Sequence, residues 1–239
     1  MARLDGIEKA LSDIDGGRIL DVATQAGGFV GIMKDHLRSY TEIVGIDLSE
    51  AAIEAARKAI DEDGISFRVM DAEELDFESE SFDTVSISVS LHHLADVEKV
   101  LGEMKRVLRP GGRFIVMEMH GDAETEPERT AASLHRWAAE IDTAMGRLHN
   151  PIMTRDEILG HVERLGLANI ETHDWVDRES DPLEAATVER LESAVARMSE
   201  RAAGAPDPAA FAERGEALLE RIRDVGARME PMLVVTGQK

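Results

Sequence analysis

Two periods of apolar residues alternate along the first 120 residues, and the alternation predicts a βα fold. Short apolar or alternating runs predict five strands, at residues 18–22, 42–47, 65–69, 85–89 and 113–119. Stripes at helical spacing predict helices at residues 4–14, 28–38, 50–60 and 97–108. The first stripe is Leu4, Ile7, Leu11 and Ile14. Strands that alternate with helices favour a parallel sheet covered on both faces.

The second half of the chain is mostly helical. Helices are predicted at residues 128–148, 155–165, 182–202 and 208–227, and strands at 169–176 and 232–236. Thr154 is the predicted N-cap of the second of these helices, and Gly166 ends it. The helices at 182–202 and 208–227 each carry an apolar stripe that must be covered by a partner.

Composition narrows the classes of function. The chain has 239 residues, 43% hydrophobic residues and a formal net charge of −21. So acidic a chain repels phosphate backbones, and we expect no nucleic-acid partner. It lacks any run of eighteen apolar residues and an apolar N-terminal signal region, so no membrane association and a cytoplasmic location are expected. Zero cysteines exclude disulfides, thiolate metal sites and a cysteine nucleophile.

Four segments follow one another in a characteristic order along the chain: Leu20–Gly28, Val44–Ser49, Asp71–Leu75 and the stretch from Ser81 through Leu91-His92-His93-Leu94 to Gly112. Together they resemble the class I S-adenosylmethionine-dependent methyltransferases. The resemblance covers about residues 15–176 and the last ten. It implies an α/β, doubly wound, mostly parallel seven-stranded sheet of order 3-2-1-4-5-7-6. In that order strand 7 is antiparallel, and here a helical insertion lies between strands 6 and 7.

The resemblance also implies S-adenosyl-L-methionine as cofactor and assigns residues to it. Asp47 lies 20 residues past Gly27, where a carboxylate can accept both ribose hydroxyls. Leu48 would pack on the adenine, while Asp71 and the amide of Ala72 would meet its edge. Asp21 and Ser88 match positions that line the methionine part. The structural alternatives are a helix cap for Asp47, a loop acid for Asp71 and a backbone-bonded hydroxyl for Ser88.

The turn after the first strand departs from the family. Ala23, Gln25 and Gly27 stand where the family has three glycines. Alanine is tolerable if its φ is negative, whereas a Cβ at positive φ costs about 1–2 kcal/mol. We expect Gln25 to adopt a different φ and to contact the cofactor with its side chain. Weaker cofactor binding and loss of catalysis are the alternatives.

Candidate residues for the acceptor follow strands 4 and 5. A sulfonium is already activated, so a general base is needed only where the acceptor must lose a proton. The candidate bases are His92, Glu118 and His120, and the adjacent His93 matches a position that packs structurally in relatives.

The helix after strand 5 offers further candidates. His135, Trp137 and His149 are predicted to contact substrate, with a purely core role as the alternative for Trp137. His135, Asp142 and His149 follow one another at intervals of seven residues, which predicts that they share one face of a helix. Such a face is compatible with a polar pocket or a metal site. Because no second ligand group supports a metal, none is expected.

Residues 1–239 are interpreted as one methyltransferase domain. Within it, residues 121–150 form a substrate-cap helix, and the insertion at 178–228 is a lid or a homodimer interface. The expected reaction is in-line methyl transfer to a small-molecule acceptor, with a catalytically silent cofactor-binding regulator as the alternative. A nicotinamide dehydrogenase is disfavoured by Gln25, and a protein acceptor remains open.

Overall fold

A computed structural model describes residues 5–239, and the first residue of the predicted leading stripe, Leu4, lies outside the described residues. The strands are β1 (Arg18–Val22), β2 (Glu42–Asp47), β3 (Ile65–Val69), β4 (Phe82–Ser88), β5 (Leu108–Met119), β6 (Ala168–Trp175) and β7 (Met232–Gln238). The helices are α1 (Asp5–Ser12), α2 (Gly28–His36), α3 (Glu50–Ala59), α4 (Val97–Val107), α5 (Glu126–Ala144), α6 (Arg155–Arg164), α7 (Ala185–Ala202) and α8 (Pro208–Val225).

The strands form one seven-stranded sheet, and its order confirms the predicted fold class. The order is β3-β2-β1-β4-β5-β7-β6. Pairs among β1 to β5 are parallel, whereas β7 runs antiparallel to both β5 and β6. The strand order reverses between β1 and β4, and the carboxyl ends of strands at such a point are where ligands enter this architecture.

Two apolar cores cover the two faces of the sheet. Alternate side chains of β1 belong to different cores. Leu20 and Val22 face α4 and α6, whereas Ile19 faces α1, α2 and α3. A third cluster lies in the helical layer and joins α5 to α7 and α8 around Trp137, Ile141, Val195 and Ile222. The apolar stripes of the insertion are therefore covered by α5 of the same chain.

Local sequence signals set several helix starts as expected. The Ser49 side chain caps α3 by accepting a hydrogen bond from the amide of Ala52. Thr154 and Glu157 form a reciprocal capping box at the start of α6. Asp207 accepts from the amide of Ala210, and Pro208 takes the first position of α8, where no amide donor is needed.

Several element boundaries differ from the predictions, by one to five residues. Helix α5 ends at Ala144, and Gly146 then turns the chain at φ 76°, so His149 lies beyond the helix rather than on it. Strand β4 ends at Ser88 because Val89 takes a φ of 46°, outside the strand region. Strand β5 begins at Leu108 rather than Arg113, and its pairing with β4 shifts register between Phe82 and Thr84.

The insertion enters and leaves the sheet at one place. The amide of Ala227 donates to the carbonyl of Pro182 at 3.2 Å, and Arg228 Nε donates to the carbonyl of Ser180 at 3.0 Å. A Cβ on Gly226 would collide with the Pro182 backbone, so this crossing requires glycine. Across residues 5–239, no helix is both long and apolar enough to cross a membrane.

Candidate active site

The turn after β1 corrects the expectation for Ala23 and Gln25. Ala23 has φ 53° and Gln25 has φ 50°, so both adopt the left-handed conformation. Because neither residue is glycine, this conformation was not expected for them. Val89, whose carbonyl accepts a hydrogen bond from the Gln25 side chain, has φ 46°. Because valine is β-branched, it is a stronger outlier than Ala23 or Gln25. Three non-glycine residues with positive φ therefore meet at one place, a pattern that clusters at functional sites.

Hydrogen bonds hold this turn to two neighbouring strands. The Gln25 amide donates to Asp47 Oδ2 at 2.9 Å, at the end of β2. The Gln25 side-chain amide donates to the Val89 carbonyl at 3.3 Å and lies 3.4 Å from Ser90 Oγ, beyond the end of β4. Gln25 thus bridges the carboxyl ends of β2 and β4 across β1.

A cavity of about 400 Å³ opens beside this bridge. Its walls include six of the nine residues predicted for the cofactor, namely Ala23, Gln25, Asp47, Leu48, Asp71 and Ala72. The Leu48 side chain is 72% exposed, which is unusual for leucine and leaves an apolar face for a flat ring. The predicted residues Asp21, Gly27 and Ser88 do not line the cavity.

The Asp47 carboxylate is already fixed in orientation. Its Oδ1 accepts from the amide of Ser49 at 2.9 Å, and its Oδ2 accepts from Gln25. Each carboxylate oxygen retains a second lone pair for a ligand hydroxyl. Asp71 is oriented similarly, because its Oδ1 accepts from the Glu73 amide at 2.9 Å.

Asp21 lies in β1, two residues before the cavity-lining Ala23, and is only 1% exposed. Its Oδ1 accepts a hydrogen bond from Ser86 Oγ at 2.7 Å. Burial raises the pKa of Asp21 to about 6, and the nearby Asp47 charge acts in the same direction. A ligand cation above this carboxylate would favour its ionised form.

Glu118, predicted as a base, organises the turn after β4. Its Oε2 accepts from the amides of Ser90 at 2.9 Å and Leu91 at 2.7 Å. Its Oε1 accepts from the Met119 amide at 3.0 Å and lies 3.1 Å from His92 Nδ1. Since the carboxylate is buried and fully engaged, it positions the turn and His92 instead of facing a cavity.

Four histidines come together above this turn. The His92 ring lies 4.2 Å from that of His93, 5.0 Å from that of His135 and 5.5 Å from that of His149. His149 Nε2 is 3.0 Å from His135 Nε2, and His149 Nδ1 is 3.0 Å from Asp142 Oδ2. We call these residues, His92, His93, His135 and His149, the histidine cluster.

Desolvation and mutual repulsion keep two of these rings neutral. Burial, then the neighbouring imidazoles, lower the pKa of His135 to about 4. The same causes lower the pKa of His93 to about 4, although one side of its ring opens on the 400 Å³ cavity. Neutral imidazoles offer lone pairs for protons or metal ions at physiological pH.

A second cavity, of about 330 Å³, lies between α5 and α7. Its walls are largely apolar and include Leu134, Ala138, Leu191, Ala194 and Met198, with polar groups from His135, Arg190 and Glu230. His135 lines this cavity and His93 lines the first, so the histidine cluster lies between the two. Burial raises the pKa of Glu230.

Two predicted residues lie elsewhere. Trp137 is fully buried among α5, α7 and α8, and its indole N–H donates to the Phe211 carbonyl at 3.1 Å, so it lines neither cavity. His120 is buried at the end of β5, where its Nδ1 lies 3.3 Å from Asp122 Oδ2. The position of Trp137 matches the alternative in which its side chain is simply part of the core.

Sequence reasoning missed several residues of the site. Glu230 and Arg201 come from segments far along the chain, and no local pattern connects them to the histidines. Arg201 on α7 forms an ion pair with Asp142, which links the insertion to the histidine cluster. The adjacent position of His92 in the sequence could have indicated His93, but the His93 ring was expected only to pack structurally.

Comparison with known proteins supports the same architecture. Residues 20–116 match the family described as a methyltransferase domain. Demethylmenaquinone methyltransferase from Thermus thermophilus is 38% identical over 103 residues, which is 42% of this chain and 46% of that protein. The chain thus spans less than half the length of the curated relatives it matches.

Solved structures share the whole fold at low identity. An S-adenosylmethionine-dependent methyltransferase from Mesorhizobium loti has a TM-score of 0.59 and 20% identity, covering all of this chain and 98% of the other. Haemonchus contortus phosphoethanolamine N-methyltransferase 2, solved with S-adenosylhomocysteine, has a TM-score of 0.58 and 18% identity, covering 98% and 52%. The family match and the shared fold confirm the resemblance to class I methyltransferases.

Proposed function

We propose that this chain, whose residues 20–116 match the methyltransferase-domain family, transfers a methyl group from S-adenosyl-L-methionine to a small apolar acceptor. The observation that carries the proposal is the 400 Å³ cavity at the carboxyl ends of β1, β2 and β4. It joins a pre-oriented carboxylate, Asp47, to an exposed apolar wall, Leu48, and an adjacent acid, Asp71. Those groups suit ribose hydroxyls, an adenine ring and its amino group.

The methionine end of the cofactor would lie toward Asp21 and the Gln25 bridge. Its ammonium group is a cation, and Asp21 offers a buried carboxylate of opposite charge in β1, two residues before the cavity-lining Ala23. Gln25 would touch the cofactor through a backbone held in the left-handed region. Ser88 would act indirectly, because its carbonyl accepts a hydrogen bond at 2.7 Å from Ser90 Oγ, and Ser90 lines the cavity.

The acceptor would bind in the 330 Å³ cavity with its reacting atom at the histidine cluster. That cavity has a mainly apolar lining, which suits an apolar acceptor body. His135 faces it, and the low pKa of His135 leaves the ring neutral and able to accept a proton. The named substrates of the curated relatives are quinones, which are also apolar rings with reactive carbon centres.

The insertion then acts as the roof of the acceptor cavity. Its apolar stripes pack on α5 within one chain, which favours a lid over a homodimer interface. The Asp142–Arg201 ion pair would hold the roof against the histidine cluster. The absence of cysteine in the sequence supports a cytoplasmic location.

The test begins with calorimetric titration using S-adenosylmethionine, S-adenosylhomocysteine and NAD. Micromolar binding of both sulfur compounds without NAD binding is expected, and methyl transfer to a quinone or phenol should follow in a labelled-methyl assay. Failure of both sulfur compounds to bind would overturn the proposal. Tight binding without transfer to any acceptor, including basic peptides, would favour the regulatory alternative, which the strain at Ala23 and Gln25 motivates.

A further inference from the structure

The histidine cluster has the donor geometry of a metal site. One nitrogen from each of His92, His93 and His149 lies within 4.8 Å of the other two. Two imidazole nitrogens on one tetrahedral zinc ion, each about 2.0–2.1 Å from it, are about 3.3 Å apart. Side-chain rotations of about 1 Å therefore bring three nitrogens onto one ion. His135 lies outside this group of three, and its Nε2 is 3.0 Å from His149 Nε2.

Carboxylates orient two of these rings in the way that ligating histidines are oriented. Glu118 Oε1 lies 3.1 Å from His92 Nδ1, and Asp142 Oδ2 lies 3.0 Å from His149 Nδ1. Each carboxylate fixes a proton on Nδ1 and leaves the Nε2 lone pair for a ligand. Two of the three rings are therefore anchored at one nitrogen each.

A purely hydrogen-bonded arrangement explains less of this geometry. One proton shared between His135 Nε2 and His149 Nε2 accounts for their 3.0 Å separation and continues through His149 to Asp142. It leaves unexplained why His92 and His93 converge on the same point, with His93 and His149 ring centroids only 4.3 Å apart. Imidazoles packed without an ion or shared proton gain little from such proximity.

We propose that His92, His93 and His149 bind one divalent transition-metal ion between the two cavities, with zinc as the preferred ion. Imidazole ligands select zinc and neighbouring d-block ions over magnesium or calcium. The sequence did not predict this site, because His135 and His149 offered only two ligands until the fold brought His92 and His93 to them. The proposal does not depend on the methyltransferase assignment.

The first measurement is metal binding by the full chain without cofactor. The protein is stripped with a chelator, checked by circular dichroism and titrated with Co²⁺. One equivalent should produce the intense visible absorption of a tetrahedral cobalt site, and one equivalent of Zn²⁺ should abolish it. A wild-type protein that shows no such absorption, or binds only with the weak spectrum of octahedral cobalt, would overturn the proposal.

Substitutions assign the ligands. His149→Ala and His93→Ala should each weaken zinc binding by about 100-fold or more, measured against a chromophoric chelator. Asp142→Asn should weaken it by about 10–100-fold by releasing the His149 ring. His161→Ala is the matched control, because His161 pairs with Glu98 on the outer surface and should leave affinity unchanged. Equal affinity in His161→Ala and His149→Ala would place the ion elsewhere and refute the assignment.

Imidazole nitrogen shifts provide a readout that a merely misfolded variant cannot mimic. In ¹⁵N-labelled wild-type protein, zinc should move the Nε2 resonances of the cluster histidines and leave those of His161 and His173 in place. The same titration on His149→Gln, which keeps a polar side chain of similar size, should show no such change. Movement of the surface histidines alone would count against the site.

Discussion

The backbone amide of Gln25 donates to Asp47 Oδ2 at 2.9 Å, so the turn after β1 and the end of β2 share one carboxylate. Because Ser49 occupies Oδ1 in the same manner, the carboxylate is oriented before any ligand binds. The strained turn and the proposed ribose site are therefore mechanically coupled. A substitution in the turn should therefore affect ribose binding, and a substitution of Asp47 should affect the turn.

Asp47→Asn should weaken binding of S-adenosylmethionine and S-adenosylhomocysteine by about 10–100-fold. A hydrogen bond to a charged group contributes about 1.5–3 kcal/mol, and the amide retains only one acceptor oxygen. Calorimetry on both ligands measures the effect. Asp61→Asn, which changes an exposed acid remote from the cavity, is the matched control and should bind normally. Unchanged affinity in Asp47→Asn would remove this residue from the cofactor site.

Ala23→Gly and Gln25→Gly separate backbone strain from side-chain bonding. Both positions have φ near 50°, so glycine should relieve about 1 kcal/mol of strain at each. Gln25→Gly also loses the side-chain bonds to the Val89 carbonyl and Ser90, which are worth about 0.5–1.5 kcal/mol. Urea unfolding should therefore show a clear gain for Ala23→Gly and little change for Gln25→Gly. Equal gains would mean that the bridge contributes nothing.

Asp21 should make stability depend on pH. Its folded pKa of about 6 exceeds its ordinary value of 3.8, so folding favours the protonated form. The cost of ionising it in the folded state is full above pH 6, falls between pH 6 and 3.8, and vanishes below. Relative to wild type, Asp21→Asn should gain on the order of 2–3 kcal/mol in unfolding free energy between pH 4 and pH 8.

The affinity for the cofactor should also depend on pH through the ionisation of Asp21. In the wild type, affinity for S-adenosylmethionine should rise as pH increases through 6, because the ligand ammonium favours the ionised carboxylate. In Asp21→Asn the rise should be absent, which separates the effect of Asp21 from that of any other ionisable group. A parallel pH profile in both proteins would show that Asp21 does not sense the ligand.

Filling the second cavity should abolish transfer while sparing the cofactor. Ala194 lines that cavity on α7, so Ala194→Phe should block an acceptor there and leave the calorimetric affinity for S-adenosylhomocysteine unchanged. Ala196→Phe adds the same side chain to an exposed position on the same helix and should retain activity. Full activity in Ala194→Phe would move the acceptor site away from the insertion.

Gly226→Ala should destabilise the protein far more than Gly146→Ala. Both glycines have φ above 70°, so alanine costs about 1 kcal/mol of backbone strain at each. Nothing lies within 4 Å of a Cβ at Gly146, whereas a Cβ at Gly226 meets the Pro182 backbone. The additional overlap should cost at least about 2 kcal/mol more, measured by chemical unfolding.

Nearly the whole sheet could be predicted from the sequence, because each strand has a clear period and several helices, such as α3, α6 and α8, have a local start signal. Strands β1, β2 and β3 begin and end where the pattern indicates. The conformation of Gln25 could not be predicted, because long-range bonds to Asp47 and Ser90 fix its φ against its own preference. His149 was placed on a helix because its spacing suited one, although Gly146 ends that helix early.

The contact between Pro182 and Ala227 has a consequence for how such a protein can diversify. Because the insertion starts and stops at touching residues, its length and composition can change without altering how β6 pairs with β7. The proposed roof of the acceptor cavity is thus separable, as a genetic unit, from the residues proposed to bind the nucleoside. An exchange of this one segment would alter the lining of that cavity and leave the order of the strands intact.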